Sequence, residues 1–122
     1  METPLEVDFE SLEPSSTLVE AIRREVRSVE RLVPRLIACH VVVREPHRHN
    51  RTGRQFEVRI HLTLPGGEIA VTRGAGNRRR EDPHVAVRDA FVQLRSQVRK
   101  FRSVRRGDVK AHSRGAGIRS AA

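Results

Sequence analysis

Arginine is the residue type in this sequence whose spacing indicates a chemical role. Between residues 82 and 106 they recur so that, at 3.6 residues per turn, they fall within an arc of roughly 60°. Guanidinium groups are planar, permanently charged and shaped to pair with phosphate oxygens. The pattern predicts a helix face that binds a polyanion, although a merely solvated face is the alternative. The members of this arginine stripe are Arg88, Arg95, Arg99, Arg102 and Arg106.

The other reactive residue types form no comparable pattern. His47 and His49 lie two residues apart in a polar loop, but no third metal ligand accompanies them at a useful spacing. His40 and His61 fall on predicted strands without a nucleophile beside them. Cys39 is the single cysteine, which excludes an intrachain disulfide and favours a buried, inert thiol. We therefore predict no catalytic residue, no cofactor and no metal site.

The arginine stripe requires a helix that anchors it. Asp82 is a suitable N-cap and Pro83 a suitable first helical residue, so we predict a helix over residues 82–106. An apolar stripe of the same period lies beside the arginines and should face the core. Its members are Val87, Ala90, Phe91, Leu94, Val98 and Phe101.

The preceding residues predict one more helix and four strands. Alternating or branched apolar residues indicate strands over residues 3–10, 36–44, 55–64 and 68–73. A helix should run to about Val33, where Pro34 ends it; Ser15 is the preferred N-cap, and Thr17 with Glu20 as a capping box is the alternative. The order β-α-β-β-β-α predicts an α+β fold, a four-stranded mixed sheet with two helices packed on one face. We expect one domain over residues 1–106 and a disordered basic tail over residues 107–122.

Charge is unevenly distributed along the chain. The sequence has 24 Lys and Arg against 15 Asp and Glu, and a net charge of +9. Residues 1–20 contain six acids and no base, whereas residues 71–122 contain fourteen bases and four acids. This asymmetry favours an orientable surface for a polyanion such as nucleic acid. Neither a signal peptide nor a membrane-spanning run is evident, so we expect a cytoplasmic protein with no membrane partner.

Several stretches resemble the ribosome hibernation-promoting factor family, also called the ribosome-associated inhibitor or sigma-54 modulation proteins. They are VERL at residues 29–32, HVVV at 40–43, RIHLTLPGGEIAV at 59–71 and AVRDAFVQLRSQVRK at 86–100. Many relatives carry an aromatic residue shortly after the acid that begins the last helix, whereas Pro83 and His84 stand here. Long members of the family add a second, dimerising domain after this one. Only a short tail follows residue 106 here, so the resemblance is to the short form of the family.

The resemblance implies a translation inhibitor that binds the small ribosomal subunit and its ribosomal RNA and stabilises idle ribosomes under stress. It would lie in the channel that messenger and transfer RNA otherwise occupy, and we expect a monomer without a small-molecule substrate. The matching basic positions on the two helices include Arg23, Arg24, Arg27, Arg88, Arg95 and Arg99.

Further basic residues complete the predicted RNA-binding set. The loop residues Arg78, Arg79 and Arg80 are candidate phosphate ligands or a plain connector, and Arg102 and Arg106 extend the helix stripe. A generic double-stranded RNA-binding module remains the alternative, since α-β-β-β-α is also that fold's order and its shape readout needs no aromatic residues. The extra N-terminal strand and the continuous basic helix face favour the ribosomal interpretation.

Overall fold

A computed structural model describes residues 3–46, 55–74 and 82–111, with side chains up to residue 104. The described elements follow the order β-α-β-β-β-α, and the predicted α+β fold is confirmed. They are β1 (Leu5–Glu10), α1 (Ser16–Leu32), β2 (Ala38–Arg44), β3 (Glu57–Leu64), β4 (Gly67–Arg73) and α2 (Pro83–Ala111).

The four strands form one mixed sheet in the order β1-β2-β3-β4. β1 runs parallel to β2, with Leu5 opposite Cys39, whereas β2, β3 and β4 are antiparallel neighbours. A two-residue turn joins β3 to β4, and Gly66 takes a φ of 94° there, a conformation that glycine adopts without steric cost. The parallel first pair and antiparallel remainder make the sheet mixed, as the sequence predicts.

The core lies between one face of the sheet and the two helices. Inward residues alternate with outward ones along β2 and β3, so Val41, Val43 and Ile60 are buried. From α2, Phe91 and Leu94 enter the same cluster and are fully buried. Neither of the two described helices packs on the other sheet face, which carries mostly polar side chains. This arrangement confirms the prediction that both helices cover one face.

Local capping sets the ends of α1. Ser15 has extended backbone angles, and its Oγ accepts a hydrogen bond of 3.2 Å from the Leu18 N–H, as the predicted N-cap requires. At the other end, the Val33 N–H donates to the Val29 carbonyl at 2.9 Å, and Pro34 follows. Proline has no N–H to continue the helical pattern. The helix therefore ends where the sequence predicts.

The start of α2 follows the sequence prediction, but its end does not. Asp82 caps the helix, because its Oδ1 accepts a hydrogen bond of 2.8 Å from the His84 N–H. That bond is the main reason why the pKa of Asp82 lies below its usual value. The helix continues to Ala111, five residues beyond the predicted end at Arg106. Gly107 costs a helix only about 1 kcal/mol relative to alanine and is a weak stop signal without a following proline. The predicted disordered tail was therefore wrong for residues 107–111, and the rest of it lies outside the described residues.

Candidate nucleic-acid interface

Basic residues dominate α2. The helix contains six arginines and two lysines against two aspartates. Arg88 and Arg99 are both exposed, and a step of eleven positions rotates the helix by only about 20° beyond three full turns. Their guanidinium groups therefore leave the helix on the same side, about 16 Å apart along its axis at 1.5 Å per residue. Two cations on one helix side can contact phosphates at separate positions along a nucleic-acid backbone.

Arg95 lies between these two positions but has a different environment. Its Nη1 is 2.7 Å from Glu25 Oε1 on α1 and 3.0 Å from Ser28 Oγ. Only about a quarter of either charged side chain is exposed, 23% for Arg95 and 25% for Glu25. The Ser28 hydroxyl in turn donates to the Glu25 carbonyl at 2.7 Å. Arg95 therefore connects the two helices and is not the freely exposed cation that the helical period predicts.

Arg102 also reaches across to α1. Its Nη1 donates a hydrogen bond of 2.5 Å to the carbonyl of Leu32, the last residue of α1. Carbonyls at a helix C-terminus lack partners within the helix and attract cations. Arg102 nevertheless remains exposed overall. It can therefore satisfy the end of α1 and still present guanidinium edges to solvent, whereas the side chain of Arg106 lies outside the described residues.

α1 carries exposed basic residues of its own. Arg23, Arg24 and Arg27 are all exposed. Arg23 lies 3.6 Å from Glu20, but both side chains are solvated, and such surface pairs contribute little to stability. Arg31 is exposed as well and lies only about 20° from Arg24 around the helix. It was missing from the predicted set, although its helical position relative to Arg24 could have identified it.

A cleft between β1 and α1 opens beside these arginines. It has a volume of about 260 Å³ and is lined in part by Arg23 and Arg27. Glu30 also lines it and accepts hydrogen bonds from the Oγ1 and the N–H of Thr3, the latter at 3.0 Å. These two bonds from Thr3 lower the pKa of Glu30, with a smaller contribution from Arg27. Glu30 therefore stays ionised and offsets part of the positive charge at this edge.

The loops contribute no described ligands. Arg78, Arg79 and Arg80, together with His47 and His49, lie outside the described residues. The predicted role of these loop arginines in RNA binding therefore stays a prediction. Within the described part, the exposed members of the predicted set are Arg23, Arg24, Arg27, Arg88, Arg99 and Arg102.

The open face of the sheet, in contrast to the helices, is acidic. Its carboxylates come from three strands and outnumber its two arginines, Arg44 and Arg59. Arg44 lies 3.0 Å from Glu57 and 3.9 Å from Glu10, so part of its charge is already compensated. The acidic residues of this face are Glu6, Asp8, Glu10, Glu57 and Glu68. Among the described residues, positive charge is therefore concentrated on the helices and negative charge on the open face of the sheet.

The cysteine and the two strand histidines lie where the sequence predicts. Cys39 is 3% exposed, and burial raises the pKa of its thiol to about 12. His40 and His61 lie on the open face and pair with Asp8 and Glu68 respectively. None of the described helices is both long and apolar enough to cross a membrane.

Comparison with solved structures shows the same fold at low sequence identity. A ribosomal subunit interface protein from Coxiella burnetii superposes with a TM-score of 0.64 at 14% identity, covering 83% of this chain and 99% of that one. The N-terminal domain of Thermus thermophilus Protein Y gives a TM-score of 0.63 at 19% identity, covering 82% and 99%. No curated protein matches the chain. The family model described as Sigma 54 modulation protein / S30EA ribosomal protein matches residues 5–106. This chain therefore belongs to that family of ribosome-associated proteins, as its sequence motifs indicate.

Proposed function

We propose that the protein binds the small ribosomal subunit through the basic surface of α1 and α2 and thereby inhibits translation. Bound in this way, it would contact ribosomal RNA and stabilise idle ribosomes under stress. Membership of a ribosome-associated family supports a cytoplasmic site of action. The observation that carries the proposal is the row of exposed arginines on the helix layer of a protein whose opposite face is acidic.

The proposed mechanism needs recognition and steric exclusion but no bond-making step. Arg88 and Arg99 would bind phosphates along one RNA strand, and Arg24 and Arg27 would add contacts from α1. Guanidinium groups form paired hydrogen bonds with phosphate oxygens, so several of them fix orientation as well as affinity. A rigid domain held in the messenger and transfer RNA channel would block both ligands. The protein would then act without catalytic residues, consistent with the prediction that it is not an enzyme.

The interhelical contacts support this mechanism because they fix the spacing of the two basic helices. Arg95 bonds to Glu25 in the middle of the helix pair, and Arg102 bonds to Leu32 at the end of α1. Cations on two helices can match a folded RNA only if the helices keep one relative position. Members of the arginine stripe would therefore have two different roles. Arg88 and Arg99 would bind RNA, and Arg95 would hold α1 beside α2.

The alternative, a generic double-stranded RNA-binding module, shares the element order from α1 to α2. It receives less support here, because β1 pairs with β2 along its whole length and completes the sheet. The basic residues are also distributed over both helices, whereas duplex shape readout relies largely on contacts to two minor grooves and the phosphates between them.

Sedimentation with purified small subunits, large subunits and free duplex RNA would test the proposal. We expect the protein to sediment with small subunits and to leave duplex RNA unbound at physiological salt. Affinity for small subunits should fall log-linearly with salt, with about 0.7–0.9 in slope for each phosphate contact. Preferential binding to duplex RNA would instead support the alternative, and salt-independent binding would contradict a phosphate interface.

We further propose that the protein acts as a monomer. Its helix surface is strongly charged, and exposed large apolar residues are scattered among the described positions: Ile37, Val92 and Val104. Isolated apolar side chains of this kind do not form the continuous patch that stable self-association needs. Light scattering at micromolar concentration should give the mass of one chain, and a stable dimer would contradict this part of the proposal.

A further inference from the structure

A second cluster of ligand-type side chains lies on the open face of the sheet, away from the basic helices. Glu6 and Asp8 project from β1, and His40 projects from β2. In the parallel register Glu6 is directly opposite His40, and Asp8 is the next residue of β1 on the same face. One donor atom from each of the three lies within 4.8 Å of the others. We propose that Glu6, Asp8 and His40 bind a Zn²⁺ ion.

The donor set fits that ion. Zinc is bound by imidazole nitrogen and carboxylate oxygen at about 2.0–2.2 Å, commonly with three protein ligands and one water. Tetrahedral geometry at those lengths places donor atoms roughly 3.3 Å apart. His40 Nε2 and Asp8 Oδ2 are 2.7 Å apart, so a small rotation of exposed side chains makes room for the ion. The side chains are 40% and 51% exposed, which leaves access for the metal and for a water ligand.

The local charge also favours a divalent cation. Two carboxylates and a neutral imidazole give the site a formal charge of about −2, which matches the ion. Arg44, the basic residue four positions along β2 from His40, is engaged by Glu10 and Glu57. The ligands stand on two hydrogen-bonded strands, so the backbone holds them in place before the metal arrives. Such preorganisation lowers the entropy that binding must overcome.

Two other histidine–carboxylate pairs show what distinguishes this cluster. His61 lies 2.9 Å from Glu68, and His84 lies 3.3 Å from Asp82. Among the residues that the structure describes, only the Glu6, Asp8 and His40 group brings three such donors together. The second carboxylate is therefore the feature that converts a surface ion pair into a metal site. His84 provides a matched control, since its side chain is 42% exposed and has a single carboxylate partner.

Zinc binding would connect β1 to β2 and so stabilise the edge of the sheet. Because the ion would bind the folded chain and not the unfolded one, it should raise the melting temperature. The site lies on the face opposite the proposed RNA-binding helices. The inference is thus independent of the proposed ribosomal function, and its test uses the free protein.

Calorimetric titration of the metal-free full-length protein with Zn²⁺ would test the site. We expect one ion per chain and a rise in melting temperature on zinc addition. His40→Ala and Asp8→Asn should each weaken binding by at least about tenfold, equivalent to about 1.4 kcal/mol, and abolish most of the thermal shift. All three ligands are solvent-accessible, so these variants should keep the wild-type circular dichroism spectrum.

His84→Ala and the double variant His47→Ala/His49→Ala are the controls, and both should bind zinc as tightly as the wild type. Unchanged affinity in His40→Ala and Asp8→Asn would overturn the proposal. So would loss of binding in the His47 and His49 double variant alone, because the ion would then be held by that loop. Absence of heat and of a thermal shift up to about 1 mM zinc would overturn it as well.

Discussion

The guanidinium of Arg95 on α2 lies 2.7 Å from the carboxylate of Glu25 on α1, in the middle of the helix pair. About three quarters of each side chain is shielded from solvent, so water screens this attraction less than it screens an exposed pair. The contact joins residues 70 positions apart in the sequence. It also changes the role assigned to Arg95, because a cation bonded to Glu25 and Ser28 has fewer donors left for phosphate.

This contact predicts energetic coupling between the two residues. Arg95→Ala and Glu25→Ala should each lower the free energy of unfolding by about 1–3 kcal/mol, since each leaves a partly buried group without its partner. The double variant should be less destabilised than the sum of the singles, with a coupling energy of about 0.5–3 kcal/mol. Urea denaturation measures all four stabilities. Additive losses would show that the two side chains do not interact in solution.

Arg88→Ala is the matched control for that cycle. Arg88 lies on the same side of α2 but is exposed, so its replacement should change stability by no more than about 0.5 kcal/mol. A charge-reversal series that includes Arg95 would therefore confuse loss of binding with loss of stability. Variants aimed at the RNA surface should use the exposed arginines alone.

Thr3 and Glu30 predict a pH-dependent contribution to stability. Hydrogen bonds from the Thr3 hydroxyl and N–H lower the pKa of Glu30 in the folded state. The contribution is therefore present above the ordinary carboxyl pKa and is lost as the pH falls through the lowered, folded-state pKa. Thr3→Val removes the hydroxyl at nearly constant shape. We expect the variant to be less stable than the wild type at neutral pH and the difference to shrink in acid.

Denaturation at several pH values checks that prediction. Thr72→Val on β4 is the control, because Thr72 is an exposed strand residue on the open face. Its replacement should give a difference that does not vary with pH. A Thr3→Val difference that is equally constant from neutral to acidic pH would show that the bond does not favour ionised Glu30.

Cys39 should be unreactive in the folded protein. Burial raises the pKa of its thiol from 9.0 to about 12 and leaves 3% of the residue exposed. Each pKa unit is a factor of ten in the thiolate fraction, so the reactive form is about a thousandfold rarer at neutral pH. Ellman's reagent should label the thiol slowly in buffer and rapidly in concentrated urea. Equal rates in both conditions would mean that Cys39 is accessible in the native state.

Sequence patterns predicted the elements well where the signal is local. The alternation of β3 identified Val58, Ile60 and Leu62 as inward residues, and all three are buried. The Ser15 cap was found because a cap and its helix are adjacent in sequence. The end of α2 was not predicted correctly, since Gly107 is only a weak stop signal.

The site was harder to predict because its contacts are not local. A helical wheel shows which side of α2 Arg95 occupies, but it cannot show that Glu25 and Ser28 meet it there. The zinc ligands likewise come together only through the register of β1 against β2, which places Glu6 opposite His40. Helical and strand periods identify faces, and tertiary packing decides which side chains on those faces remain free.

Charge reversal at the exposed helix arginines tests the central claim most directly. Arg24→Glu, Arg88→Glu and Arg99→Glu combined should leave the fold intact and abolish sedimentation with small ribosomal subunits at physiological salt, because repulsion replaces attraction along the phosphate track. Among single variants, Arg88→Glu should weaken binding measurably. Arg59→Glu, with the same charge change on the open sheet face, should bind as the wild type does. A folded triple variant that still binds small subunits with wild-type affinity would contradict the account.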